Sequence, residues 1–577
     1  MCIEKFPLDI WLGVSKYLTC NDLLNIRLCS RSLNRSLTSS ILWREICYDY
    51  WLNHEELCCE NGFYGVVKYN WFETYCNRIL IEKKLVEILT NFVDQLDFLF
   101  GKLSDFRNEY DTLRLMSSLY HLTELDPTKC DNKISFEIIS LAERVLHSMR
   151  LNILFEDILN PKKNENSTCD VENVLLLFSY LDPSFDTLLK YRVKAFNDLK
   201  SHIQEIYTSI EIFSNISTRS KLFVISNYFN NKFFERDFNY NGYAIEDSSL
   251  VRVYSGETKG LSIHKLSIIQ KALKIYNVDS VMCGFFLTVR NESRKHLCYV
   301  FIKDDKQAIV IEKPQMKKII KKHFDSQTRQ LNFSIYTKEI FKPLSVNKLQ
   351  EDLKNEVLSK CNHTIWWKSR RTPRVKVMND NYSISKNTID KRIIHLYFEI
   401  SKIKSYGSEQ DIRKIVYYLQ SPEIELLGRL NFEFPFFETA VEILKELKRN
   451  RNPNVVDSFQ YSLTLPFATV GRGIEVGTFY ISDITKDIYC LLAIGNQKDD
   501  TSYHKCLIDN LGNIRTVRDD DDTLSVYQEL NNGIIPFLQR CSMSKLGLYF
   551  DKIDWSNNKL IPNKTYKAWY LLYSDTI

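Results

Sequence analysis

Four residues between positions 260 and 300 have the side chains that a hydrolase site needs. Ser262 and Cys283 could act as nucleophiles, and His264 or His296 as the base. Such an enzyme needs its nucleophile and histidine within hydrogen-bond reach. Ser262 and His264 are two residues apart, so on a helix they point to different faces. A cysteine in an apolar strand is more often a buried core residue. These residues alone therefore leave a cysteine or serine hydrolase, or a transglutaminase-like enzyme, as an alternative.

No cluster in the sequence has the ligand spacing of a metal or cofactor site. The 15 cysteines form no CxxC pair. Cys361 and His363 lack the further ligand pair that a zinc site requires. The acidic run 519–522 lacks the alternating ligands and the glycine of a calcium loop. We therefore predict no metal and no cofactor. The cysteine usage favours a reducing compartment, so we expect the protein in the cytoplasm, the nucleus or both.

Two basic runs suggest a further alternative, nucleic-acid binding. The first comprises Lys317, Lys318, Lys321, Lys322 and His323, and the second lies at 368–376 beside two tryptophans. Aromatic side chains next to basic ones can bind nucleic acid. A solvated helix face would, however, give the same pattern for the first run. The net charge of +5 over 577 residues is low for a nucleic-acid-binding protein, and the run 519–522 would repel phosphate. We therefore expect nucleic acid to be a poor fit as a partner.

The elements that would position these residues form a multidomain α+β chain. The composition, 44% hydrophobic and 26% charged, is that of a globular protein, and the length allows several domains. The patterning predicts a helical segment at 1–51, a helical linker region at 52–165, an α+β domain at 166–315, a helical and basic extension at 316–455, and a small β domain at 456–577.

Within the α+β segment, the patterning predicts a helix at 261–276 and strands at 283–290 and 298–312. No apolar run reaches the roughly 18–20 residues that a membrane span needs. We therefore predict no membrane partner for this chain.

The first 51 residues read as short amphipathic helices. Leu8, Val14 and Leu18 recur at helical spacing, and Pro7 opens the first helix, where its missing N–H has no cost. Thr19 with Asp22 has the pattern of a capping box at the start of a second helix. Three such short helices cannot bury enough apolar surface alone. We therefore expect an exposed apolar patch that a partner covers.

This segment resembles the F-box family. The motif positions that match are Phe6-Pro7, Asp9, Leu18, Asp22-Leu23, Arg27, Cys29, Leu33 and Leu42-Trp43. The resemblance implies a subunit of an SCF ubiquitin ligase that docks on the Skp adaptor and, through it, on cullin, while holding a client protein of unknown identity. The residues that it implies for docking on Skp are Pro7, Leu8, Ile10, Val14, Leu18, Leu23 and Leu24.

Residues 165–315 resemble the SirB-type transglutaminase-like domain. The marks are a helix that ends in Asp182-Pro183, the segment 222–242, Ser248-Ser249-Leu250, and Gly260-Leu-Ser-Ile. The degenerate catalytic positions implied by the resemblance are Ser262, His264, Phe285 and Asp304. The four residues that follow Gly260, at 261–264, include no cysteine, and Phe285 stands where the resembled family has the histidine that would accept a proton. The resemblance therefore implies a non-catalytic binding module with no catalytic residue.

The C-terminal segment resembles the HspQ-like, or hemimethylated-DNA-binding, family of small β-barrels. Tyr503-His504, Tyr549-Phe550 and Ile561-Pro562-Asn563 carry the match. The order of an F-box, a SirB-like domain and an HspQ-like domain is similar to that of the F-box only protein twenty-one family. Such a chain is expected to recruit clients for ubiquitination and proteasomal degradation without catalysing a reaction itself.

Overall fold

The structure is a computed structural model that describes about three fifths of the chain. The described parts are residues 6–52 without 16 and 39, 54, 70–94, 112–125, 134–159, 171–234, 249–290, 296–304, 307–327, 340–361 and, with short gaps, 469–566. The fold is mixed α+β, with a helical N-terminal part and antiparallel sheets further along the chain. Most of the predicted extension at 316–455, including the second basic run and His363, lies outside the described residues.

The N-terminal part begins with four short helices and a π-helical turn. Their bounds are α1 Leu8–Ser15, α2 Cys20–Leu28, α3 Arg31–Leu37 and α4 Ser40–Cys47, followed by the turn Tyr48–Leu52. Trp43 is fully buried and its indole Nε1 donates a hydrogen bond of 2.6 Å to the carbonyl of Leu37. This bond fixes α4 against the end of α3, because a buried indole N–H is costly without an acceptor.

Three longer helices follow and share one core. They are α5 Trp71–Asp94, α6 Thr112–Thr123 and α7 Phe136–Leu159. Their buried stripe includes Leu85, Leu119 and Leu146, each at most 1% exposed. The first helices dock on α5 through aromatic contacts, with the ring of Trp43 lying 5.0 Å from Phe72.

The central region combines helices with a four-stranded antiparallel sheet. The helices are α8 Val171–Phe178, α9 Phe185–Tyr207, α10 Ile210–Asn215, α11 Thr218–Phe229, α12 Leu250–Ser255 and α13 Ser262–Ile275. The strands are β1 Ser280–Cys283, β2 Phe286–Arg290, β3 His296–Lys303 and β4 Gln307–Ile311, in that order across the sheet. Helices α14 Lys313–Gln327 and α15 Val346–Cys361 follow.

Alternate side chains of this sheet face two different cores, as the strand period of two requires. Leu287 and Val300 pack in the core that contains residues of α13. Phe286 and Tyr299, one residue away on each strand, pack in the core that contains residues of α14. The sheet is therefore covered on both faces, α13 lying on one and α14 on the other.

The predicted helix at 261–276 is confirmed by α13, but the predicted strands at 283–290 and 298–312 are wrong in their extent. Each of them is interrupted by a tight turn. Gly284 has a φ of +63° and Asp304 a φ of +51°. Both values lie in the left-handed region that glycine and, less often, aspartate adopt. Four strands paired as hairpins therefore replace the two long ones.

Buried carboxylates tie the helices of the central region together. Glu172 on α8 accepts hydrogen bonds from Arg192 Nε and Nη2, at 2.7 and 2.8 Å, and from the hydroxyl of Tyr254 at 2.6 Å. Asp182 accepts from Arg252 Nε and Nη2, at 2.6 and 3.0 Å. Because an unpaired buried charge is costly, these pairs fix the relative positions of α8, α9 and α12.

The C-terminal part has a six-stranded antiparallel sheet and a separate hairpin. The strands of the sheet are β5 Thr469–Val470, β6 Phe479–Ser482, β7 Ile488–Asn496, β8 Tyr503–Asp509, β9 Ile514–Arg518 and β10 Leu524–Val526. Two short helices follow, α16 Ile535–Arg540 and α17 Met543–Leu546. The hairpin comes last and consists of β11 Phe550–Asp554 and β12 Lys559–Pro562. The sheet order is β10-β6-β7-β8-β9, with β5 also on β7. The antiparallel strands of this part are as expected, while the small β-barrel that the resemblance implies stays a prediction.

Two sets of close contacts hold the hairpin β11–β12 and the residue that follows it against the rest of the C-terminal part. Gly477, with a φ of +91°, donates its N–H to the carbonyl of Leu491, and a Cβ at this position would lie 1.9 Å from the carbonyl oxygen of Leu560. Only glycine permits this approach of the hairpin to the sheet. The side chain of Asn563 donates to the carbonyl of Gly547 at 2.9 Å and accepts from the N–H of Tyr566.

Helix α7 contributes to three cores at once. Phe136 at its start packs in the core of the C-terminal sheet. Leu146 in its middle packs against α5 and α6. Leu154 near its end packs in the core of the central region. Its 24 residues span about 36 Å. A single rigid element therefore connects the C-terminal, N-terminal and central parts.

A buried charge cluster also connects the N-terminal part with the central region. His54 Nε2 lies 2.8 Å from Asp186 Oδ1, and Arg150 on α7 forms an ion pair with the same carboxylate. The ring of His54 stacks on Tyr120 at 4.3 Å between centroids. Burial by itself raises the pKa of Asp186, but the Arg150 charge and the His54 hydrogen bond outweigh it, so this pKa lies below its usual 3.8.

We expect Asp186→Asn to lower the free energy of unfolding by about 3 kcal/mol at neutral pH, because it leaves the buried Arg150 without its counter-charge. Since the folded-state pKa is depressed, the ion pair stabilises above pH 3.8 and its contribution is lost as the pH falls through the lower folded value. Urea unfolding of both proteins at neutral and acid pH measures this.

The matched control is Asp483→Asn, which removes an exposed carboxylate that lies 3.9 Å from Lys486. Exposed pairs of this kind contribute little to stability. Equal unfolding curves for Asp186→Asn and Asp483→Asn would contradict a stabilising role for the buried cluster.

Candidate adaptor-binding surface

The first two helices are positioned by a capping box. The hydroxyl of Thr19 accepts from the N–H of Asp22 at 3.1 Å, while the Asp22 carboxylate accepts from the N–H and hydroxyl of Thr19 at 2.9 and 2.6 Å. These bonds lower the pKa of Asp22, the hydroxyl contributing most. The capping box predicted from the sequence is confirmed, and it begins α2 at Cys20.

One side of these helices is buried within the chain. Trp11, Leu23, Leu37 and Trp43 are each at most 1% exposed and share a core with Tyr75 of α5. Leu23, which the sequence analysis assigns to Skp docking, is therefore an interior residue of this fold. Its side chain stabilises the helices and is not open to a partner.

Several apolar side chains of this part of the chain remain in solvent. Ile10 is 43% exposed, Tyr17 90% and Leu28 76%, and Pro7 is also exposed. Val14, Leu18 and Leu24 are half-buried and pack against the core. Leu8 opens α1, and its side chain lies outside the described residues. We call Pro7, Ile10, Tyr17 and Leu28, with the half-buried Val14, Leu18 and Leu24, the outer F-box face.

Sequence reasoning missed two of these residues. Leu28 lies four residues after Leu24 in α2, a spacing that returns to the same side of a helix, so helical periodicity could have found it. Tyr17 lies in the turn after α1, where helical spacing does not apply. That Leu23 is buried and Leu28 exposed depends on the tertiary contact with α5.

The comparison with family models identifies the N-terminal part. Residues 3–45 match the F-box domain.

The chain carries an F-box.

The F-box range contains α1–α3 and most of α4, the same helices that bear the outer F-box face. Among curated proteins, the chain is similar to mitochondrial distribution and morphology protein 30 of Saccharomyces cerevisiae, with 27% identity over 385 residues. This alignment covers 62% of the chain and 62% of the yeast protein, less than two thirds of that relative's length. No solved structure matches the chain.

The degenerate catalytic positions lie around α13 and the four-stranded sheet. Ser262 is the first residue of α13. His264 is the third residue of this helix and is fully buried, and its Nδ1 accepts the N–H of Leu261 at 2.9 Å. Phe285 lies in the turn between β1 and β2, its ring 6.0 Å from that of Phe301. Asp304 is exposed in the turn between β3 and β4. Ser262 and His264 thus share the first turn of α13, whereas Phe285 and Asp304 lie in two different turns of the sheet.

Cys283 has the surroundings of a core thiol. It is 3% exposed, and its Sγ lies 3.5 Å from Thr288 Oγ1 and donates to the carbonyls of Val281 and Phe341 at 3.8 and 3.7 Å. Burial raises the pKa of this thiol above its usual 9.0. A thiol held in its protonated form is a poor nucleophile.

Within the parts of the chain that the structure describes, no three His, Cys, Asp or Glu side chains are grouped closely enough to hold a metal ion. Over the same parts, no helix is both long and apolar enough to cross a bilayer. Lys317, Lys318, Lys321 and Lys322 of the first basic run are exposed on α14.

We expect Cys283 to react with iodoacetamide at least roughly tenfold more slowly than the exposed Cys29, because burial restricts both its ionisation and its access. Timed labelling of the native protein at neutral pH, followed by peptide mass spectrometry, measures both sites in one sample. Labelling of Cys283 as fast as Cys29 would instead support a thiol-dependent enzyme.

Proposed function

We propose that this protein is the substrate-recognition subunit of an SCF ubiquitin ligase, with the F-box docked on the Skp adaptor and, through it, on cullin. The observation that carries the proposal is the outer F-box face, which lies on helices that match the F-box domain and keeps large apolar side chains in solvent. A partner that covers Ile10 and Leu28 removes apolar surface from water, which favours binding.

The contribution of such a subunit to ubiquitination is proximity. A client held by the central or C-terminal part is brought near the ubiquitin-charged conjugating enzyme, which raises the effective concentration of its lysines. This requires a firm connection between the F-box and the rest of the chain. The packing supplies it, since Arg27 lies 4.2 Å above the ring of Phe72 on α5, and Trp51 Nε1 donates to Glu82 of α5 at 2.5 Å.

The protein acts in this proposal as a non-catalytic adaptor located in the cytoplasm, the nucleus or both. The absence of a histidine at Phe285 and the burial of Cys283 support the adaptor role. The finer resemblance to the F-box only protein twenty-one family belongs to the proposal as well. It is supported by the helix α13 packed on an antiparallel sheet, and by the antiparallel strands of the C-terminal part.

The double variant Ile10→Asp with Leu28→Asp is expected to lower the affinity for the Skp adaptor by more than about a hundredfold, because it places two charges in the centre of the proposed apolar interface. Pull-down and titration with purified Skp adaptor measure the loss. Both positions are exposed, so the fold should remain intact, which circular dichroism and the unfolding midpoint check.

The matched control is Ile212→Asp with Phe223→Asp, since these side chains are 50% and 60% exposed on the central helices α10 and α11. This control should bind the Skp adaptor as the parent chain does. Docking through the outer F-box face would be refuted if the F-box variant also retained full affinity.

A second candidate function is a role in the distribution and shape of mitochondria. The observation that favours it is the similarity to the yeast protein of that name, which extends over 385 residues and so reaches far beyond the F-box. This function is compatible with the first, because an adaptor's biological effect depends on its client.

We expect expression of the chain in yeast lacking this relative to restore part of the tubular mitochondrial network, and the Ile10→Asp, Leu28→Asp variant to fail at equal protein level. Fluorescence microscopy of a matrix marker measures the outcome. Rescue by both forms would separate the mitochondrial role from F-box docking, and rescue by neither would remove the support for this second function.

A further inference from the structure

Helix α14 carries an exposed face made of lysines. The residues Lys313, Lys317, Lys318, Lys321 and Lys322 are all exposed, and no acidic residue stands between 313 and 322. At 3.6 residues per turn these five positions fall within about half of the helix circumference. We call them the α14 lysine face. It is about 14 Å long, from a rise of 1.5 Å per residue.

The other side of α14 anchors the helix on the sheet. Met316 is fully buried and Ile320 is 1% exposed, and both pack in the core that holds Phe286 and Tyr299 of the sheet. The helix is thus held by its apolar side, and the lysine face points away from the protein. The lysines are not needed to hold α14 in place.

The α14 lysine face has no counter-charge in the described parts of the chain. None of its five lysines forms an ion pair with a described residue. The nearest acid in sequence, Glu312, is engaged by Arg219, whose Nη2 lies 3.3 Å from Glu312 Oε1. Five like charges that repel one another on one helix face are more stable when an anionic partner lies against them.

The side chains of this face indicate which anionic partner fits. Nucleic-acid interfaces rely on arginine forks and on aromatic rings that stack on bases, and the α14 lysine face has neither. Protein interfaces are depleted in lysine and centre on apolar or aromatic anchors, whereas the exposed residues at 313–322 are five lysines, Pro314 and Gln315. Lysines on flexible stems without an apolar wedge suit the diffuse negative charge of lipid headgroups.

We propose that the α14 lysine face binds the surface of a membrane that contains anionic lipids. The association is peripheral and electrostatic, because five lysines form the face and no large apolar side chain between 313 and 322 is exposed. It departs from the expectation, drawn from the lack of an apolar span, that no membrane is a partner of this chain. It would place the F-box protein beside clients embedded in that membrane. This inference is independent of Skp docking, since the α14 lysine face and the outer F-box face share no residue.

The test is sedimentation of the full-length chain with two kinds of vesicle, phosphatidylcholine alone and phosphatidylcholine with about one third phosphatidylserine. The parent chain should bind only the anionic vesicles and should be released by raising the salt from about 0.1 M to about 0.5 M, where screening is strong. Replacing Lys317, Lys318, Lys321 and Lys322 by glutamine should weaken binding by roughly a hundredfold or more, from about fivefold per lysine.

The matched control replaces four exposed lysines elsewhere, Lys194, Lys200, Lys232 and Lys348, by glutamine. It changes the net charge by the same amount and should keep the affinity for anionic vesicles. Equal loss in both variants, or no binding of the parent chain, would overturn the proposal. Tighter binding of the parent chain to a duplex or single-stranded nucleic acid than to anionic vesicles would overturn it too. Both variants should still bind the Skp adaptor, which separates a failure here from a failure of F-box docking.

Discussion

Short helices cannot bury both of their faces, and the organisation of the N-terminal part follows from this limit. Helices α1–α4 are seven to nine residues long, so together they enclose only a small core. They complete that core by docking on α5, through Trp43 and Tyr75. Among the described residues nothing covers Ile10 and Leu28, which remain in solvent. The same limit thus accounts for the attachment to α5 and for the exposed apolar side chains.

The attachment matters because an adaptor works by holding a second protein at a defined distance. Helix α7 is shared by three cores, so a displacement of one part would disturb the packing of the others. The buried cluster of His54, Arg150 and Asp186 adds a polar connection between the region after the F-box and α9. Buried charges of this kind specify one arrangement, because alternative packings would leave a charge unpaired.

The central region gives the positions singled out in the sequence different surroundings. Ser262 begins α13, while His264 is packed into the core and its Nδ1 accepts the N–H of Leu261. Phe285 contributes an apolar ring to the core on the α14 side of the sheet. Asp304 is exposed in the turn between β3 and β4. Packing on the sheet therefore determines the surroundings of His264 and Phe285.

The sequence by itself determined the local features of this protein. The capping box at Thr19 and Asp22, the helix at 262–275 and the F-box motif each depend on residues close together in the chain, and local hydrogen bonds or helical spacing suffice to predict them. Only the tertiary structure decided which leucine of α2 is buried, since Leu23 and Leu28 have the same chemistry and differ by which of them meets the core shared with α5. Tertiary contacts also decided the strand order of the C-terminal sheet and the role of α7 in three cores. The core that joins Phe136 of α7 with Phe479 contains residues more than 300 positions apart, which local patterns cannot pair.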